Sequence, residues 1–197
     1  MPRLRAEPKA PRRVAIPAHP RRARRPPPIT RFVADAMLGS LARKLRVFGY
    51  DTDYSRGADD SHLIAAARKQ GRTILTADAL LASRGAKLGV AVFLIRGNND
   101  GERLDEIASS ADKLGKPLVA GESRCSFCNR TLARVPGERV GTALPRGVVT
   151  RHRLFYYCAY CDRFYWRGAH WKRLRRLRGR IAKVESAPGK RNARALL

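Results

Sequence analysis

Between Arg31 and Lys116 the hydrophobic positions of the chain change period in a regular beat. Arg31-Phe-Val-Ala-Asp35, Thr73-Ile-Leu-Thr76 and Val90-Ala-Val-Phe-Leu-Ile95 are short and almost unbroken apolar runs, as strands buried on both faces are. Tyr50-Asp-Thr-Asp-Tyr54 alternates and predicts one more strand. Between these runs the apolar residues recur at helical spacing. Leu38, Leu41, Ala42, Leu45 and Phe48 predict a helix from Met37 that Gly49 closes, with Arg43, Lys44 and Arg46 mostly on its other face. Asp59-Asp60-Ser61 caps a helix running to Lys69 or Gln70 and closed by Gly71. A short helix passes through Leu80-Leu81-Ala82. Glu102 to Leu114 predicts another helix, with Leu104, Ile107, Ala108, Ala111 and Leu114 inward and Gly115-Lys-Pro117 as its stop. The resulting alternation of strand and helix, with short links, argues for an α/β fold: a parallel sheet with helices on both faces and right-handed crossovers.

The strand ending at Thr76 leads through one residue to Asp78, the strand from Arg31 ends in Asp35, and Asp59-Asp60 opens a helix. Ligands and catalytic groups of parallel sheets sit at such carboxyl tips. Three acids there suggest a divalent metal site built from Asp35, Asp60 and Asp78. The same residues also suit a plainer role, with Asp78 and Asp60 as helix N-caps and Asp35 as a turn residue.

Charge adds a partner. The formal net charge is +26, and it is unevenly spread. Residues 31–120 are close to balanced, at +3 from 14 cations and 11 acids. Residues 1–30 hold nine cations against Glu7, residues 121–171 nine against three acids, and residues 172–197 ten against Glu185. Such flanks suit a polyanion, because each cation that neutralises a phosphate releases a condensed counterion. They lack the Phe and Leu face of an interfacial membrane helix. The eight prolines before Thr30 leave too little apolar surface to offset ordering entropy, so this stretch reads as a disordered basic arm. Without an apolar h-region it is no secretory signal, and no apolar run reaches the roughly 18 residues a membrane span needs. The chain is expected to be cytoplasmic.

All four cysteines fall late, as Cys125-Ser-Phe-Cys128 and Cys158-Ala-Tyr-Cys161. Two such turns supply the four thiolates of a tetrahedral zinc shell, closed and therefore structural. Outside a secretory pathway disulfides are not expected, and a redox motif would explain one pair but not two. Around the second pair, Leu154-Phe-Tyr-Tyr and Arg163-Phe-Tyr-Trp166 mix aromatics with arginines, a combination that can stack bases and hold phosphates. Phe155, Tyr157 and Phe164 equally suit the small core of a zinc ribbon. Arg163, Tyr165, Trp166, His170, Lys172 and Arg173 are the RNA-contact candidates. A basic helix with a thin Leu174 and Leu177 stripe follows from Trp171.

These motifs together resemble a known family. Phe32-Val-Ala-Asp35-x-Met-Leu-Gly39-x-Leu-Ala-x-x-Leu-Arg46-x-x-Gly49-Tyr50-Asp51-Thr52, Asp59-Asp60, Gly71-Arg72-x-Ile-Leu-Thr76-x-Asp78, Arg124-Cys-x-x-Cys-Asn129 and Cys158-x-x-Cys161-x-x-Phe-Tyr165-Trp166-x-Gly168-x-His170 are similar in order and spacing to the Mut-seven C-terminal RNase family. The resemblance covers residues 31 to about 178. It implies a PIN-like three-layer fold with an appended zinc ribbon, and metal-dependent ribonuclease activity. Carried over position by position, Asp35 is the first-strand metal ligand, Asp60 (or Asp59) the acid at a helix start, and Asp78 the acid of a Thr-x-Asp motif that Thr76 supports. Such nucleases commonly carry a fourth acid, often Glu. No Glu occurs from Arg31 to Asn99, which leaves Asp51, Asp53 or Asp100 as substitutes.

The expected organisation is a basic arm (1–30), a PIN-like nuclease domain (31–120), a four-cysteine zinc ribbon (121–171) and a basic helix and tail (172–197). The expected activity is hydrolysis of RNA at a Mg or Mn site, with the ribbon and flanks binding RNA. A non-catalytic, ribosome- or tRNA-associated RNA-binding protein is the alternative. A homodimer is in keeping with PIN domains.

Overall fold

The computed structural model describes residues 27–54 and 56–182. Most of the basic arm and the end of the tail lie outside them. The arm's last residues are already tied down: Ile29 is buried and bridges Leu118, donating to Pro117 O at 2.8 Å and accepting from Val119 N at 3.1 Å.

The first part of the chain runs β1 (Arg31–Ala34), a 3₁₀ turn (Ala36–Leu38), α1 (Gly39–Val47), β2 (Asp51–Tyr54), α2 (Asp60–Gln70), β3 (Thr73–Thr76), α3 (Ala79–Lys87), β4 (Val92–Leu94) and α4 (Asp100–Lys113). The four strands pair in parallel in the order β2-β1-β3-β4. Alternation along the strands separates two cores. Phe32, Ala34, Leu75 and Phe93 face α1 and α4, while Val33 and Ile74 face α2 and α3. Helices on both faces make three layers, as the period change in the sequence predicts.

Several boundaries differ from those expected. The helix after Asp78 extends well past Ala82, to Lys87, and passes Gly85 where it crosses β4 closely: a Cβ there would come within 2.7 Å of Val92 Cγ2. β4 is shorter than its apolar run. Leu114, expected inward, is the C-cap of α4 and is 48% exposed. The largest departure is Arg46, expected on the outer face of α1 and only 4% exposed.

The second part carries β5 (Ala133–Pro136), two 3₁₀ turns, α5 (Arg146–Val149), β6 (Leu154–Cys158) and β7 (Arg163–Tyr165), an antiparallel sheet ordered β5-β6-β7. A final helix, α6 (Trp171–Ala182), returns to the first part. It lies along α4, with Leu174, Leu177 and the fully buried Ile181 joining the α1–α4 core and Arg180 paired with Asp105. The apolar stripe read in the sequence is therefore one turn longer and covers the body of the protein.

The two parts meet where α1 ends. A helix terminus leaves its last carbonyls without intrahelical donors. Here Lys44 O accepts from Phe48 N (2.9 Å) and Leu45 O from Tyr50 N (2.9 Å). The linker after Leu118 supplies the rest: Arg124 N reaches Arg46 O (2.9 Å), and Ser123 Oγ donates to Val47 O (2.7 Å). Gly121 N also donates to Gly49 O at 3.0 Å, and a Cβ on Gly49, at φ +99°, would fall 2.2 Å from Gly121 O. Only glycine fits that position. Beside it the Arg46 guanidinium donates to Thr52 O (2.8 Å), Ser126 O (3.0 Å) and Phe127 O (2.7 Å). Asn129 completes the seam by accepting from Thr52 N (3.1 Å) and donating to Asp51 Oδ1 (2.7 Å), which pairs the exposed edge of β2. Arg72 holds the same carboxylate at 2.8 Å, with Arg31 and Arg124 each at 3.9 Å.

Replacing Arg46 with Met is expected to destabilise the protein by about 3 kcal/mol or more, since three carbonyls lose their donor at about 1–3 kcal/mol for each that stays buried. Arg46→Lys is expected to recover only part, one ammonium being unable to fork among three acceptors. Equal denaturation midpoints for wild type and Arg46→Met would contradict this. Burial alone pushes the Asp51 carboxyl up, but hydrogen bonds from Arg72 and Asn129 outweigh it and hold its pKa below the usual value. Its stabilisation is thus present above the unfolded pKa of about 3.9 and lost as pH falls through the folded one. Asp51→Asn is expected to cost about 1–2 kcal/mol at pH 7. In parallel melts that difference should shrink below about pH 4.

Candidate functional site

In a sheet ordered β2-β1-β3-β4 the chain leaves β1 toward one side and returns on the other, so the crevice lies between the carboxyl ends of β1 and β3. Asp35 follows β1 directly, and its N–H donates to Leu75 O of β3 at 2.9 Å. Thr76, the last residue of β3, is fully buried, which fixes its hydroxyl between two partners. It donates to Asp35 Oδ2 at 2.8 Å and accepts from the N–H of Asp78 at 2.9 Å. The sequence-predicted Asp35, Thr76 and Asp78 are thereby joined by hydrogen bonds across two strands.

The other acids have mixed duties. Asp78 Oδ1 caps α3, accepting from Leu80 N (2.7 Å) and Leu81 N (3.3 Å). Asp59, and not Asp60, caps α2 by accepting from His62 N at 2.7 Å. Asp60 stands in the first turn of α2 with Oδ2 at 3.5 Å from Arg84 of α3. The capping role expected of Asp78 and Asp60 therefore holds for Asp78 and falls to Asp59 instead of Asp60. Asp35 leads into the 3₁₀ turn, and its side chain caps nothing. Among the described residues Asp35 Oδ1, Asp78 Oδ2 and Asp60 Oδ1 have no hydrogen-bond partner. Of the fourth-acid substitutes, Asp51 is committed to the seam at the opposite edge of the sheet, Asp53 accepts from Tyr54 N at 2.9 Å, and Asp100 pairs with Lys44 at 3.1 Å. Asp100 opens α4 beside a cleft of 490 Å³ whose walls include Ser40, Asn99, Arg173 and Arg180. The cleft joins the start of α4 to the basic helix α6.

Among the described residues the four cysteines form the group of ligating side chains placed to share one ion. Asp35, Asp60 and Asp78 do not form a second such group. The four Sγ atoms lie within 4.8 Å of one another, with Cys128–Cys158 at 3.5 Å and Cys125–Cys161 at 3.8 Å. A tetrahedral shell with metal–sulfur bonds of about 2.3 Å has sulfur–sulfur edges of about 3.8 Å. The cluster could bind a metal such as zinc. The two turns are built alike. The residue after each second cysteine, Asn129 (φ 66°) and Asp162 (φ 50°), takes the left-handed conformation that Asn and Asp tolerate best. Burial pushes the Cys125 thiol up, but the N–H groups of Cys128 and Phe127 and the Tyr165 hydroxyl outweigh it, bringing it down to about 6. Cys158 is raised, first by burial. Cys161 is pushed up to about 12, first by its contact with Cys128 and then by burial. Gathering four thiolates without a cation is unfavourable, and a divalent cation removes the conflict.

The expected RNA-contact residues fall in different places. Tyr165 turns inward, its hydroxyl 3.1 Å from Cys125 Sγ and 3.4 Å from Ser126 Oγ. Trp166 packs on Phe155 and His152, with ring centroids 6.2 and 6.5 Å away. Arg163, His170, Lys172 and Arg173 are exposed. Phe155 is buried in the ribbon, and Tyr157 pairs with Phe164 at 4.7 Å, as a small core requires. Residue types alone do not reveal the part played by Arg46. Its only signal is an arginine one turn from a helix end with polar chain to follow.

The family model of the Mut7-C RNAse domain matches residues 30–178. No curated protein and no solved structure matches the chain. Among the described residues no helix is long and apolar enough to cross a membrane.

The protein is expected to bind one zinc ion per chain, and Cys158→Ser to abolish its retention. Because protons compete for the thiolates, retention should fall as pH drops. Metal analysis after dialysis at stepped pH reads both effects, and retention that is unchanged in Cys158→Ser would contradict them.

Proposed function

Because the chain belongs to the Mut7-C RNAse domain family, we propose that it is a metal-dependent ribonuclease of PIN-like architecture. The observation that carries this reading is the buried Thr76 hydroxyl holding Asp35 at the switch point of the sheet, with Asp78 on the same hydroxyl. Asp35, Asp60 and Asp78 would hold the ion. Their donor set is oxygen only, which suits Mg or Mn and not the thiophilic metal of the cysteine cluster. Each offers one oxygen without a partner among the described residues, and Mg keeps several waters and needs only one or two direct carboxylates. When bound, the ion activates a water and offsets charge on the phosphate being hydrolysed.

The rest is the work of the chain. Thr76 fixes one Asp35 oxygen and leaves the other for the ion. Asp78 is held by the N-terminal amides of α3 and by its own N–H on the Thr76 hydroxyl, which fix its carboxylate before RNA arrives. Asp60 is tethered loosely, through an exposed pairing with Arg84, and is the ligand free to adjust. An acidic crevice repels RNA on its own. The cation-rich ribbon and α6 would supply the affinity, with zinc holding the ribbon together.

A second reading has its own support, since Asp59 and Asp78 do cap helices. In it the protein binds RNA without cutting. Asp35→Asn and Asp78→Asn separate the two readings, and Asn serves as well as Asp at an N-cap, so α3 stays capped. With Mn or Mg, both variants are expected to lose cleavage of mixed structured and single-stranded RNA by about 100-fold or more. Their RNA affinity should stay within about twofold, since these acids lie apart from the cation-rich surfaces. Cleavage equal to wild type in both, or none in wild type beside salt-steep binding, would overturn the nuclease reading.

A further inference from the structure

Phe127 and Tyr160 stand at the same position of the two cysteine turns, directly before the second cysteine, and packing gives no reason for either. They are 48% and 67% exposed. Neither belongs to the cluster around the sulfurs, which Leu132, Tyr156 and Tyr165 build with the cysteines. What accompanies each ring is a guanidinium. Arg163 lies 3.9 Å and Arg43 5.2 Å from the centroid of Phe127, and Arg130 lies 4.1 Å from that of Tyr160.

A guanidinium lies over each half-exposed ring, and such a stacked pair offers an unpaired nucleotide a guanidinium plane as well as any ring face left open. Bases stack on aromatic rings or on guanidinium planes, and every base has such a face. The adjacent charge meets the phosphate. An apolar protein partner would favour rings set among other apolar groups, whereas the neighbours here are arginines. Duplex RNA hides its base faces, so such a surface distinguishes single strands.

We propose that Phe127 with Arg43 and Arg163, and Tyr160 with Arg130, provide stacking sites for unpaired bases of RNA. This rests on RNA being the partner, and not on cleavage. Arg43 belongs to α1, which starts five residues after the last residue of β1. The Phe127 site therefore spans the seam between the ribbon and the α/β body, and α1 leads from it toward the crevice at Asp35.

The test uses the zinc-loaded full chain at fixed salt with no added Mg or Mn, so it neither needs nor reports cleavage. Fluorescence anisotropy is read with three labelled probes: a 12-nucleotide oligouridine, an abasic strand of equal length and charge, and a 12-base-pair RNA duplex. Wild type is expected to prefer oligouridine to the abasic strand. Phe127→Ala and Tyr160→Ala should each weaken oligouridine binding about tenfold, leaving the abasic strand within about twofold. Phe127→Tyr and Tyr160→Phe, which keep a ring, should restore it, and zinc content equal to wild type shows that the ribbon is intact in each. Wild type binding the abasic strand as tightly as oligouridine would overturn the stacking sites. So would alanine variants that bind like wild type, or that lose both single strands alike. None of these outcomes bears on the acids at Asp35, so the nuclease reading stands or falls separately.

Discussion

The structure depends on one buried guanidinium. Arg46 lies where a helix ends, an edge strand begins and a cysteine turn arrives, and all three present carbonyls with no donors of their own. A planar fork of five N–H groups satisfies carbonyls from β2 and from the turn together. Burial pulls its pKa down, with Asp53 the largest opposing influence. A hydrophobic residue would fit the buried face of α1 and leave the ribbon with nothing to hold. Asn129 does the complementary task, giving the edge of β2 a side-chain amide in place of another strand.

This seam has a consequence for the candidate site. The chain enters α1 beside Asp35 and leaves it at the ribbon, so one nine-residue helix is the rigid spacer between the carboxylates and the cysteine cluster. The ribbon is thus held at a set distance from the crevice by backbone hydrogen bonds as well as side chains. Of the two cysteine turns, the first is part of this joint and the second comes in on the β6–β7 hairpin. The four sulfurs are the point at which the two are brought together.

The parallel sheet was legible because its strands are buried on both faces and its helices carry period-3.6 stripes, signals that survive without any tertiary knowledge. The sulfur cluster was legible because its ligands come in two short turns of fixed spacing. Boundaries failed where a local rule met a tertiary contact. The helix through Leu80 runs on to Lys87 because Gly85 lets it pass close to Val92, and Arg46 reads as surface and is a buried clasp. Tyr165 and Trp166 have the composition of a nucleic-acid surface; Tyr165 turns its hydroxyl to a sulfur, while Trp166 lies against Phe155 and is still 38% exposed. Phe127 and Tyr160 look like spacers between cysteines, and only burial and the neighbouring guanidinium groups single them out. For the acids, sequence order placed Asp35, Thr76 and Asp78 together, as their hydrogen bonds do, whereas only the structure distinguishes Asp59 as the cap and Asp60 as a residue paired with Arg84.

Ile181, without exposed surface in the α1–α4 core, changes how the chain must be made. The α/β body is not complete when Lys113 leaves the ribosome, for its last helix begins at Trp171. At synthesis rates of about 5–20 residues per second the intervening segment keeps that apolar surface of α4 in water for seconds. The body and the ribbon cannot then fold strictly in order of synthesis. The cysteine-bearing segment is an insertion in a core whose final piece arrives after it, so closure of the body by α6 waits until that whole segment has been made.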